Sequence, residues 1–410
     1  MLSPYRVLDL TDEKGFMCGK VLADMGADVI KVERPGGDTA RGIGPFYHDD
    51  PRPEKSLSWL FLNMNKRGIT LDIESSEGRE FARRLAAASD FVIESFEPGY
   101  LDNLGLGYAA LSEINPRVIL TSITPFGQDG PHAHFRSSDL TSMARGGLMY
   151  MTGDPDRAPV RVGVPQAFLH GGAEGAAASM IAHYHRQRTG RGQHVDVSIQ
   201  ECVMWTTMDA TGYWDLNRIN RQRSGTVNAA PKASLRSLWP CKDGFVTLMV
   251  AGGMTMAVQF MRALLGWMDD EGAAPEFLKT VDWMTDYDRN TVTQDLVDRV
   301  EGAVGDFLMT KTKAQIFDEG MKRRFMQAPA ADGRDIAESR QLAEREYFVT
   351  LEHADLGPVT YPGPFLKLSE TPIEIRRPAP RIGEHNEEVF MEELGLSAEE
   401  LAGLHARGVV

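Results

Sequence analysis

The chain has 410 residues, 42% of them apolar, 25% charged and 8% aromatic, with a formal net charge of −14. That composition is ordinary for a globular protein and excludes a disordered or fibrous role, while the acidity disfavours nucleic acid or an anionic membrane surface as the main partner. Three widely spaced cysteines, Cys18, Cys202 and Cys241, offer neither a disulfide framework nor a zinc site, and no run of about 18 apolar residues exists, so a soluble cytoplasmic protein with reduced thiols is expected.

Tyr5 to Leu10 reads as a short apolar strand, followed by a helical stretch from Glu13 to Met25 and a second strand, Asp28 to Glu33. Strand, helix and strand within about thirty residues make a βαβ unit, which predicts a parallel sheet. The pattern repeats. Gly68 to Ile73 leads into a helix over Ser75 to Ala88, and Phe91 to Ser95 and Val118 to Thr124 are further strands. Next comes Pro159 to Glu201, which reads as an extended piece, a helix rich in small residues, a basic turn and a strand from His194 to Ile199. Gly171, Gly172 and Gly175 carry no side chain, so a backbone or a ligand can approach there, and free amides at a helix start favour an anion or acyl oxygen. Tight helix packing is the plainer reading of the same residues.

Trp205 to Arg223 is aromatic-rich and helical, and Ser224 to Lys232 reads as a linker into a second unit with a strand at Gly244 to Val250 and a helix at Thr255 to Trp267. Length alone suits two domains at about 150 residues each. The tail from Glu352 is rich in proline and closes on a helix whose Ser397 and Glu400 have capping-box spacing. No GxxxxGK[ST] loop, dinucleotide fingerprint or HExxH is present, and no metal site is expected. Arg41 follows a PGGD turn, Lys66 follows Asn63 and Asn65, and Arg136 follows the loop PFGQDGP. All three lie at strand ends, where an open α/β sheet places its ligand, and several converging cations would suit a phosphorylated one. Taken singly, each also reads as a solvated surface charge.

The strings VLDLTDEKGFMCGKVLADMGADVIKVERPGGDTAR, LNMNKRGITLDIESSEGRE, PGYLDNLGLGYAAL, SITPFGQDGP and RQRTGRGQHVDVSIQE resemble, in order, the signatures of the class III CoA-transferase family. The resemblance extends to the closing PRIGEHNEEVFMEELGLSAEELAGLHARGVV. It implies an α/β fold with a Rossmann-like large domain (1–225, completed by 336–410), a smaller inserted α+β domain (226–335), and two chains interlocked as a dimer. It also implies coenzyme A as a substrate, with Arg41 toward the nucleotide phosphates, Asn63 and Lys66 at CoA-contacting positions, and Arg136 where some members place a lysine.

Members of this family use an aspartate that attacks an acyl-CoA thioester and passes through a mixed anhydride to an aspartyl-CoA thioester. Nearby glycine amides would hold the oxyanion. Counted back from GRGQ without gaps, that position is Phe168, and a one-residue shift reaches Ala167; neither is a nucleophile. Glu97 is a second departure, standing where the family often has arginine. Glu174 and His170 are the nearest groups that could substitute, as acid and as base or donor.

QAFLHGGAEG and FMCGK are similar to the aspartate-less chain of two-subunit family members that act on succinyl-CoA and benzylsuccinate. The resemblance thus implies a subunit whose homologous partner carries the aspartate, acting on an acyl-CoA and an organic acid. Two alternatives stay open: a stand-alone CoA-transferase using Glu174, and a racemase-like acyl-CoA enzyme that would exchange deuterium at the acyl α-carbon.

Overall fold

The structure is a computed structural model and describes all of residues 1–410. It divides into two compact units: Met1–Met149 with Arg161–Asn220 and Gln341–Val410, and Tyr150–Val160 with Arg221–Arg340. Residues 150–160 therefore belong to the second unit, whereas the sequence reading left them in the large domain. No helix is long and apolar enough to cross a membrane.

The first unit is built on a six-stranded sheet: β1 (Arg6–Leu10), β2 (Asp28–Glu33), β3 (Arg67–Thr70), β4 (Phe91–Glu94), β5 (Ile119–Thr124) and β6 (His194–Ser198), in the order β3-β2-β1-β4-β5-β6. Every pairing is parallel; Leu8 lies between Ile30 and Val92, and Val92 pairs Leu120. Parallel strands are joined by crossovers, so helices cover the sheet and most strand residues are apolar, with Asp9, Lys31, Glu33 and Glu94 buried among them. The first helices are α1 (Phe16–Asp24), α2 (Leu57–Leu62) and α3 (Ser76–Ala87).

One face of the sheet, with Leu8, Ile30, Ile69, Val92 and Leu120, is packed by α3, by Leu101 and Leu111, and by Phe390 and Leu404 from the chain's end. The returning tail thus completes the layer, and its last helix, Ala398–Ala406, carries the Ser397–Glu400 capping box read from the sequence. The other face, with Val7, Val29, Phe91, Ile93 and Ile119, is packed by α1 and by further helices introduced below.

Short helices α4 (Tyr100–Asn103) and α5 (Tyr108–Ile114) follow β4, and α6 (Asp139–Arg145) follows β5. The long helix α7 (Ala167–Thr189) starts one turn before the glycines, not at them. A Cβ on Gly172 would sit 2.7 Å from the Met17 Cβ and 3.0 Å from the Cys18 backbone nitrogen; one on Gly175 would sit 2.8 Å from the Ile123 Cδ1. The small face of α7 therefore lets it lie against α1 and β5, and tight packing is what the glycines serve. Gly172→Ala is expected to cost about 1–3 kcal/mol by overpacking, read as a drop in thermal midpoint.

After β6 come α8 (Ile199–Trp205) and α9 (Met208–Asn217). Helix α9 buries none of its residues, and Trp205, Met208, Trp214 and Leu216 are exposed. The second unit holds β7 (Val227–Ala229) paired with β8 (Ser234–Arg236), and a small antiparallel sheet of β9 (Leu238–Cys241), β10 (Gly244–Leu248) and β11 (Gln327–Pro329). Helices α10 (Thr255–Asp270), α11 (Glu276–Thr280), α12 (Gln294–Leu308) and α13 (Lys313–Arg323) close its core around Trp239, Met261 and Val300.

Candidate functional site

Where strand order reverses between β1 and β4, the loops after neighbouring strands part and leave a crevice at their carboxyl ends. Here it has a volume of about 400 Å³ and is lined by Thr11 and Asp12 after β1, Arg34 and Asp38 after β2, Asp72 and Glu74 after β3, and Ser95 and Phe96 after β4. Arg34 is exposed and has no acid partner; it is the only cation among the lining residues. Glu74 accepts a hydrogen bond from the Tyr100 hydroxyl at 2.8 Å, and Asp12 accepts from Ser95 at 2.8 Å and from the Lys14 ammonium. Carboxylates accept readily from ribose hydroxyls and repel phosphate, so only the Arg34 edge of the crevice favours an anion. Sequence reasoning passed over Arg34, although it opens the same turn as Arg41.

Beneath the crevice floor, the structure turns three of the four expected CoA contacts inward. Lys66 is fully buried: its ammonium donates to Asp9 Oδ2 at 2.8 Å, to Asn63 Oδ1 at 2.9 Å and to the Phe16 carbonyl at 3.1 Å. Asn63 in turn donates to the Trp59 carbonyl. Burial penalises the Asp9 carboxylate, but Lys66 and Lys31 outweigh that and hold it below the usual range. Gly19 on α1 is what admits this pair, because a Cβ there would meet Asp9 Oδ2 at 2.2 Å.

Arg41 is 2% exposed and engages both Glu33 oxygens, at 2.6 and 2.7 Å, and the Pro380 carbonyl, with its guanidinium stacked 3.8 Å from the Trp59 ring. It clamps the returning tail onto the sheet. Arg41, Asn63 and Lys66, expected at CoA-contacting positions, are thus each buried and bonded to partners inside the unit. Arg136 does lie on the surface, with its side chain 92% exposed, but it pairs with Glu97 at 3.2 Å. The glutamate that departs from the family pattern therefore neutralises the one expected cation that faces solvent.

Phe168 is the second residue of α7 and packs, half-buried, on the core beneath α1. Its backbone N–H donates to Asp139 Oδ1 at 3.1 Å. Asp139 opens α6, where the Ser138–Thr141 capping box fixes the chain. The first turn of α7 has no side-chain cap of its own at Gln166, so Asp139 supplies one from another helix. Gly171 and Gly172 lie beyond that turn, where N–H groups are bonded within the helix, which removes them as an oxyanion hole. Glu174 is exposed and lies six residues from Phe168, about 240° round the helix, so the two do not share a face. His170 is half-buried and its backbone N–H bonds Gln166. Asp139 was missed in the sequence because its closeness to residue 168 is a tertiary contact across 29 residues.

A second polar cluster was missed too. Glu94 at the end of β4 is buried without a cation partner and accepts the Phe96 N–H at 2.7 Å. Ser122 on β5 lies beside it and bonds His194 at 2.9 Å. Burial pushes the Glu94 carboxyl up to about 7. The folded protein therefore holds a proton that the unfolded chain releases above its ordinary value of 4.5, and stability falls as pH rises from there to about 7. Glu94→Gln keeps the acceptor and cannot ionise. Its gain over the parent is expected to be small near pH 4.5 and to grow to about 2–3 kcal/mol by about pH 8, measured by urea unfolding.

Comparisons with known proteins agree with this architecture. A family profile described as CoA-transferase family III matches residues 2–386. The chain is 37% identical over 412 residues to the succinyl-CoA:(R)-benzylsuccinate CoA-transferase subunit BbsE of Thauera aromatica, covering 100% of this chain and 98% of that one. It is 31% identical to the succinyl-CoA--L-malate CoA-transferase beta subunit of Chloroflexus aurantiacus, over 96% of this chain and 94% of that one. Among solved structures, a CAIB/BAIF family protein from Brucella suis superposes with a TM-score of 0.79 at 27% identity, covering 95% of this chain and 98% of that one.

Proposed function

Given that this chain belongs to CoA-transferase family III, we propose that it is the supporting subunit of a two-chain CoA-transferase whose homologous partner carries the nucleophilic aspartate. The observation that carries this is Phe168, an apolar ring at the start of α7, at the position that the ungapped count from GRGQ gives to the family nucleophile, with Asp139 spent on capping its backbone N–H. The reaction moves CoA from an acyl-CoA such as succinyl-CoA to an organic acid. In the partner, the aspartate attacks the thioester carbonyl and expels CoA thiolate, giving a mixed anhydride. The thiolate returns to the aspartyl carbonyl and releases the first acid, and the acceptor acid then takes CoA through a second anhydride. Names of relatives support both halves of the reading: one is a subunit that handles succinyl-CoA and benzylsuccinate, another a beta subunit that handles succinyl-CoA and malate. Benzylsuccinate is the acceptor we favour.

The crevice of this chain is consistent with a supporting role. Arg34 is its single cation, against Asp12, Asp38, Asp72 and Glu74. A CoA nucleotide carries several phosphate charges, which such a lining disfavours. Helix α9 points the same way about assembly. A helix with no buried residue and exposed Trp214, Leu216 and Tyr213 is covered when a second chain wraps it, in keeping with an interlocked pair.

Native mass spectrometry of the chain purified from its own cells, with a succinyl-CoA transfer assay alongside, tests the proposal. Co-purification with a homologous chain bearing aspartate at the equivalent of Phe168 supports it; an active homodimer sinks it.

A further inference from the structure

We propose that the cavity of the second unit is a binding site for an organic acid with an apolar body, the acceptor class that the transferase reading requires; the inference rests on that reading. The cavity has a volume of about 660 Å³, within the range of small-molecule sites, and lies between β8, β10, the loop over residues 249–254 and the turn at 287–290. No residue placed above in the crevice or around Phe168 belongs to it.

Its floor is apolar and buried: Leu235, Leu248, Val250 and Ala257. Met249, Met254 and Met326 line the mouth, and methionine adapts to an irregular apolar ligand at little rotameric cost. The wall is held tightly by the approach of two glycines. A Cβ at Gly252 would stand 2.1 Å from the Trp283 carbonyl oxygen, and one at Gly253, with φ of +76°, 2.3 Å from Asp288 Oδ2. Only a loop bare of side chains lies so flat on that turn.

The polar groups point to a carboxylate. Arg289 lines the cavity, donates to the Ala229 carbonyl at 2.7 Å and has no acid partner, so most of its donors are free for a planar two-oxygen anion. Arg236 differs, standing 3.9 Å from Glu301. The lining carboxylate Asp288 is occupied by the Asn290 N–H at 2.8 Å. Tyr287 adds a wholly buried ring to the wall.

The test is isothermal titration of the full chain with benzylsuccinate, in the absence of CoA. Saturable one-to-one binding is expected, weakened at least tenfold by Arg289→Gln and abolished by Met326→Trp, which fills the mouth; both side chains are exposed, so the fold is kept. No saturable binding, or binding unchanged in both variants, overturns the site. A CoA-transfer assay of the chain with its partner separates this from the functional reading: an active complex whose second chain binds no acid sinks the cavity proposal alone, and acid binding by the chain of an inactive complex upholds the cavity and sinks the transferase reading.

Discussion

Lys66→Met will destabilise the first unit by about 3–5 kcal/mol, the largest stability loss expected from a single substitution in it. The methionine fits the space, so the loss is electrostatic. It leaves the wholly buried Asp9 carboxylate with Thr11, whose hydroxyl donates at 2.6 Å, and with Lys31 3.9 Å away. The carboxylate must then protonate or stay charged in a low-dielectric interior, and either course penalises the folded state. Pairing the change with Asp9→Leu should recover much of the loss, because removing both charges restores a neutral interior. Urea unfolding of the two variants checks this: a single variant within about 1 kcal/mol of the parent, at unchanged slope, would show that the pair is not what anchors α1 to the sheet.

That pair also marks where the sequence stopped being legible. The six strands could be read because parallel strands covered on both faces are short apolar runs, and β2 was read to the residue as Asp28 to Glu33. Helix α3, read as Ser75 to Ala88, lies one residue inside that range at each end, because Ser75 caps it from outside. Lys66, Arg41 and Asn63 were placed just before or just after strands, as found, yet a lysine beside a strand looks the same whether its loop opens to solvent or folds under α1. Asp9, 57 residues away, decides the matter, and Glu33 and Pro380 decide it for Arg41. The glycines of α7 misled for a related reason. Absent side chains say that something approaches, and only the fold says that it is Met17 and Ile123. Position 168 could be read as lacking a nucleophile, whereas Asp139 beside it could not be foreseen.

The isolated chain is expected to transfer CoA at no more than about one thousandth of the rate of its complex with the aspartate-bearing partner, since loss of a covalent nucleophile typically costs that factor or more. Neither nearby carboxylate changes this. Glu174 projects from α7 about 240° away from Phe168 and is solvated, and Asp139 is held by the Phe168 N–H, which favours a fixed acceptor over an attacking group. Glu174→Gln should therefore leave the complex within about twofold of its parent rate. Asp139→Asn keeps an oxygen for the Phe168 N–H and should lower the rate less than tenfold, through the position of α7 and not through the chemistry. The opposite pattern is informative about the stand-alone alternative. If the purified chain turns over alone at a rate comparable to the complex, and Glu174→Gln or Asp139→Asn removes that turnover while the fold is retained, then the chain carries its own nucleophile. Phe168 would then form a wall of the active centre, and that carboxylate would do the work assigned here to the partner.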